Sequence, residues 1–178
     1  MKRISPNKLI LILCVLAFLI TAAVAYFAFE RLPHLEDEVA YLFQARTMAL
    51  GRLTVPTPAM KQAFWMPFVL DHQGNRFGKY PPGWPGILAA GVLAGAPWIV
   101  NPILAALSIY LIYRIGQTLY DERVGLLAAV LGLTSPLFLV LSGSFLSHIA
   151  SLVWLLLFSL WFLWTVQGRS RWFALGAG

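Results

Sequence analysis

The sequence predicts an all-α fold: a polytopic bundle of membrane helices carrying a juxtamembrane loop region on its outer face. Three observations predict it. Of 178 residues, 60% are apolar and 11% charged, against roughly 25% charged in soluble domains, and the mean hydropathy is +0.76. Four apolar runs approach the roughly 20 residues that a bilayer core requires. The basic residues of the net +6 chain sit at the ends of those runs, as membrane topology signals do. A soluble globule of this size could not hide so much apolar surface, and intrinsic disorder is excluded by the same composition. The single cysteine, Cys14, rules out an internal disulfide framework and a Cys-based zinc site. Scattered basic residues without a helix-turn-helix pattern argue against nucleic acid, despite a pI near 9.8.

The first span is expected at about 9–29, after Lys2, Arg3 and Lys8. A cleavable signal peptide has a similar start, but the run stays apolar through Phe29 and further runs follow, so a signal anchor with a cytoplasmic N-terminus is the reading. An outer loop over 30–96 follows. Its polar part, Glu30 to Pro82, holds five of the seven acidic and six of the thirteen basic residues. Within it, 36–50 reads as an amphipathic helix lying along the membrane surface, with Val39, Leu42, Phe43, Arg46 and Leu50 near one face. Its three leading acids suit a helix N-terminus. Asp71 to Arg76 reads as a tight turn between two short extended pieces.

Residues 83–96 form a Gly/Pro-rich apolar segment that either spans or re-enters. The positive-inside rule favours re-entry or interfacial placement, because Arg114, Arg123, Arg169 and Arg171 then join Lys2, Arg3 and Lys8 inside. Further spans are expected at about 97–117, 124–142 (with a kink at Thr134-Ser135-Pro136) and 148–166. Residues 172–178 read as the start of another span, so the chain is expected to be a single incomplete membrane domain, a fragment of a longer protein. This topology puts the 30–96 loop and the Ser142–His148 turn on one face, where they could share a site.

Asp37 and Glu38 follow the first span closely, near the headgroup layer. A carboxylate there is a candidate general base or metal ligand for chemistry on a lipid headgroup; helix capping is the competing explanation. Arg76 and Lys79, beside Tyr80-Pro81-Pro82, are candidates to hold a lipid phosphate, against ordinary interfacial snorkelling. Tyr80 and Trp84 are expected at the interface. His148 starts a span from the outer turn. Asp71-His72 is a weak metal signal better explained as a turn. No P-loop, GxGxxG, GxSxG or HExxH pattern is present.

A basic-flanked span, then Asp37-Glu38 with Tyr41 and Ala45, Gly51-Arg52-Leu53, Tyr80-Pro81-Pro82 and Leu/Ala-rich spans together resemble the N-terminal portion of the GT-C membrane glycosyltransferases. The closest likeness is to the branch of protein O-mannosyltransferases and aminoarabinose-to-lipid A transferases. The resemblance implies inverting transfer from a polyprenyl-phosphate sugar to an acceptor hydroxyl on the outer face of the plasma membrane. Asp37 matches the catalytic aspartate, with Glu38 beside it, and Arg76, Lys79 and Tyr80 lie near the substrate. His148 stands where relatives often carry an Asp. Some relatives hold a divalent metal, which here implies Glu38 and His148 as its contacts. The alternative is a non-enzymatic lipid or sugar transporter or flippase subunit; the absence of charge within 124–142 and its scarcity in 148–166 count against an ion pathway.

Overall fold

The computed structural model describes residues 5–169 and 172–176. Lys2, Arg3 and Arg171, and the end of the 172–178 segment, lie outside the described residues. Helix α1 (Pro6–Ala23) opens with proline, whose missing N–H is no loss at a helix start. It runs on as a π-helical turn over Val24–Ala28, giving an apolar stretch of 23 residues. The chain leaves it through Glu30 and Arg31, both with positive φ (50° and 62°). Helix α2 (Glu36–Ala49) follows, then a three-stranded antiparallel sheet of β1 (Val55–Pro56), β2 (Val69–His72) and β3 (Asn75–Gly78), ordered β1-β3-β2. His72 pairs with Asn75, leaving Gln73 and Gly74 as a two-residue turn. Both have positive φ (49° and 77°), as a right-twisted hairpin of this loop length requires.

Helix α3 (Gly83–Leu93) is 11 residues long, too short to cross a bilayer core, and Gly95 ends it in the left-handed conformation (φ 73°). Helix α4 (Val100–Leu119) extends a short 3₁₀ turn over Pro97–Ile99. Helix α5 (Glu122–Leu133) is capped by Asp121, whose carboxylate accepts from the Arg123 and Val124 amides at 2.8 and 2.9 Å. Helix α6 (Pro136–Gly143), helix α7 (His148–Val166) and helix α8 (Trp172–Gly176) follow.

Three described helical stretches are long and apolar enough to cross a membrane: Pro6–Ala28, Pro97–Leu119 and His148–Val166. The kinked stretch expected at 124–142 consists of two helices, α5 and α6, which together are long and apolar enough to cross a membrane and meet at a bend of 64°. Ser135 is extended there, and its hydroxyl accepts from the Phe138 amide, so it ends one helix and caps the next.

A core of Ile10, Ala17, Ala105, Ile109, Tyr113, Ala129, Phe138 and Ile149 joins α1, α4, α5, α6 and α7. Helices α4 and α5 cross on two glycines: a Cβ on Gly116 would lie 2.7 Å from Gly125 Cα, and one on Gly125 would lie 2.6 Å from the Tyr113 carbonyl oxygen. Small residues are what permit so close an approach between membrane helices. The bundle has two distinct ends. At one, the start of α1 meets the second half of α4, Gln117 approaches Glu122, and Gln167 approaches Thr118. Arg114, Arg123 and Arg169 belong to this end. At the other lie α2, the hairpin, α3, Asn101 and the Ser144–Ser147 turn.

Candidate active site

Helix α2 does not present the face read from its periodicity. The face packed on α3 carries Tyr41, Leu42, Ala45, Met48 and Ala49, which shares only Leu42 with the face read from the sequence. Arg46 and Leu50 are exposed, and Val39, Leu42 and Phe43 line an open groove. The cause is tertiary: α2 is clasped by α3, β3 and the Ser144–Ser147 turn, and rests on protein along the face where its small and aromatic residues allow close contact.

Glu38 is 1% exposed, which requires partners for its charge. One carboxylate oxygen accepts from the His34 and Leu35 amides at 2.7 and 3.3 Å; the other accepts from the Phe145 amide at 3.1 Å. Trp84 is buried too, contrary to its expected interfacial place, and its indole N–H donates to the Phe145 carbonyl at 2.9 Å. The Asn101 amide donates to the Ser144 and Leu146 carbonyls at 2.7 and 2.9 Å. Tyr41 and Ser147 hydroxyls are 3.3 Å apart. Four side chains from three helices thus hold the turn before α7 against α2.

This framework sets Asp37 in the first turn of α2, half-buried, where the Tyr80 hydroxyl donates a hydrogen bond to Oδ1. Burial first, and then the Asp37 carboxylate, raise the Tyr80 pKa well above the ordinary tyrosine value. The phenol therefore stays protonated and donating throughout the physiological range. Among the described residues, Oδ2 of Asp37 accepts no hydrogen bond. The Tyr80 ring lies 4.6 Å from that of Tyr41 and 5.9 Å from that of Phe68. The Lys79 ammonium sits 3.5 Å from the Phe68 ring centroid and 4.9 Å from that of Tyr80, in cation–π range. Phe68 has φ 59°, a costly conformation for a bulky residue. A shallow, largely apolar groove runs from Tyr80 along Gln44, Leu53, Thr54, Phe77, Gly78 and Pro82. Gln44 fastens that wall, accepting from the Gly78 amide at 2.6 Å and donating to the Leu53 carbonyl at 2.8 Å.

The structure therefore brings Asp37, Tyr80 and Lys79 together. Arg76 does something else. Its guanidinium is buried, makes a two-pronged contact with Asp71 (2.8 Å to each oxygen) and donates to the Phe64 carbonyl at 2.8 Å. Arg76 holds Asp71 below the usual carboxylate range by that hydrogen bond, so the pair braces the hairpin. His148 is exposed at the first position of α7, beside Ser147. The suggested metal contact between Glu38 and His148 does not fit: both Glu38 oxygens are taken by backbone amides, and no group of three His, Cys, Asp or Glu residues suited to a metal exists among the described residues. Asn101 and Tyr41 were not anticipated as site residues. The signal for Asn101 was a lone amide in an apolar run, which in a membrane helix demands a partner.

A bundle of apolar helices, three of them long and apolar enough to cross a membrane, is the architecture of a multi-pass membrane protein, here with a half-buried carboxylate and a phenol at one end. The sequence model of the dolichyl-phosphate-mannose-protein mannosyltransferase family matches residues 87–178, just over half of the chain, and the chain belongs to this family of membrane glycosyltransferases. The matched region runs from α3 to the end; Asp37 and Tyr80 precede it. No curated protein and no solved structure matches the chain.

Proposed function

We propose that the protein transfers a sugar from a polyprenyl-phosphate donor to an acceptor hydroxyl, on the outer face of the plasma membrane and with inversion, using Asp37 as general base. The observation that carries this reading is the Asp37 carboxylate held through one oxygen by Tyr80 at the head of the groove, with its second oxygen available. In the proposed step, Asp37 takes the proton of the acceptor hydroxyl as that oxygen attacks the anomeric carbon. The bond from that carbon to the phosphate oxygen breaks on the opposite side, and the polyprenyl phosphate leaves with the electron pair. Tyr80 keeps the carboxylate oriented. Lys79, beside it, supplies positive charge for the departing phosphate. The donor is itself a membrane lipid, so a base near the headgroup plane is where this reaction needs one. Basic connections gathered at the opposite end support placing this end outside.

The test is Asp37→Asn, assayed in membranes for transfer from polyprenyl-phosphate sugar. Loss of a general base should lower turnover by roughly 10²–10⁴-fold, with expression and helix content unchanged. Turnover equal to that of the native protein removes Asp37 from the mechanism.

A further inference from the structure

On the side of α2 turned away from Asp37 lies a second groove, of ≈ 450 Å³, within the usual size of ligand pockets. Its walls are apolar: Leu32, Val39, Leu42, Phe43 and Pro97. Two cations, Arg31 and Arg46, line it, and both are exposed. Neither is paired. Among the described residues the one ion pair is Arg76 with Asp71, although Glu30 and Glu36 are close in sequence. Arg31 makes only a cation–π contact, 4.6 Å over the Tyr26 ring, and its own backbone amide bonds to the Ala25 carbonyl. Arg31 and the residue before it are the consecutive left-handed pair that ends the first apolar stretch. Such a conformation is held against its cost by its surroundings and concentrates where geometry serves a function.

The depth of the groove narrows its ligand. Arg31 and Leu32 follow the first spanning stretch within four residues, and Pro97 begins the second. A stretch of 23 helical residues covers the hydrocarbon core, so the groove opens at the headgroup layer. Two guanidiniums without an ion-pair partner among the described residues, over apolar walls at that depth, suit the phosphate of a membrane lipid. We propose that this groove binds one anionic phospholipid, its phosphate held by Arg31 and Arg46 and its glycerol end against Leu42, Phe43 and Pro97. The site is separated from the Asp37–Tyr80 site by the thickness of α2, and the proposal does not rest on the sugar-transfer reading.

The experiment is lipid retention by native mass spectrometry of the purified protein in detergent, with phosphatidylglycerol or phosphatidylcholine added. The native protein should retain one phosphatidylglycerol and discriminate against phosphatidylcholine. Each charge near a membrane surface is worth about 1 kcal/mol, so Arg31→Gln with Arg46→Gln should weaken retention by roughly tenfold or more, whereas Arg123→Gln at the other end should not. Equal retention of the two lipids by the native protein overturns the proposal without any variant. So does unchanged retention in the double variant, or displacement of the lipid by millimolar inorganic phosphate, which would mark a free-phosphate site. If the double variant fails to fold, Arg46→Gln alone decides: it should weaken retention several-fold, and no change sinks the idea.

Discussion

Glu38 is a buried carboxylate without a cation beside it among the described residues. Its charge is balanced by three backbone amides, one of which belongs to Phe145, 107 residues away. Hydrogen bonds to a charged group are worth about 1.5–3 kcal/mol each, and a buried amide left bare costs a similar amount. Glu38→Ala should therefore cost roughly 3 kcal/mol or more and loosen the turn before α7. Hydrogen exchange reads it directly: the Phe145 amide should exchange much faster in the variant, and an unaltered rate would mean that the clamp does not hold the turn. Asp37, one residue earlier, has the opposite character. It is half-buried and meets a phenol, and it keeps an oxygen free of protein donors among the described residues. Adjacent carboxylates thus divide between holding the fold and meeting a phenol that lines a groove. The reason is rotation: 100° along a helix separates one side chain from the next.

Among the elements, the α4–α5 crossing depends on the absence of side chains at Gly116 and Gly125. Local propensity favours alanine over glycine in a helix by about 1 kcal/mol. A Cβ at Gly125 would lie 2.6 Å from a backbone carbonyl oxygen that has no side-chain freedom to yield. Forced repacking of this kind costs roughly 1–3 kcal/mol, so packing should outweigh propensity. Gly125→Ala is expected to lower the thermal unfolding midpoint in detergent, while Gly83→Ala, which meets nothing within 4 Å, should leave it near its native value. A raised midpoint for Gly125→Ala would show that the helices part easily there. The hairpin follows another logic. Its Asp71–Arg76 pair is at the surface on the acid side, where such pairs contribute at most about 1 kcal/mol, so its value is geometric: it keeps β3, and through β3 Tyr80, in register with α2.

At the scale of the molecule, the cations of the short connections gather at one end of the bundle, while six others lie in the long 30–96 loop, which the positive-inside rule does not count. Lys8, Arg114, Arg123 and Arg169 belong to the end where α4 meets α5, and most acidic residues to the end that carries Asp37. The positive-inside rule then predicts that the hairpin faces outward. Cys14, the sole cysteine, can be replaced by serine to give a silent background. On intact cells a membrane-impermeant maleimide should label a Gln73→Cys variant at the hairpin tip, and label Glu122→Cys only after lysis. The reverse pattern would put the Asp37 groove on the cytoplasmic side and end the proposal of outward-facing transfer.

Much of the fold was legible because it is written in short-range patterns. Apolar runs of bilayer length specify helices, the Asp71–Arg76 stretch specifies a tight turn, and Asp37 falls in the first turn of α2 by local signals alone. The packed face of α2 was legible only at Leu42, because Val39 and Phe43 fit the helical period beside it as well as Tyr41, Ala45 and Met48 do. Only the docking of α3 and of the turn at Phe145 chooses between them. The same holds for the 64° size of the bend at Ser135, whose place the kink at Thr134-Ser135-Pro136 had marked, for the engagement of Arg76 by Asp71, and for the contact between Asp37 and Tyr80, which are 43 residues apart. Periodicity and capping report interactions over three or four positions. Which side chains meet across 43 or 107 residues is decided by the closest approach that the glycines and small residues of the assembled bundle allow.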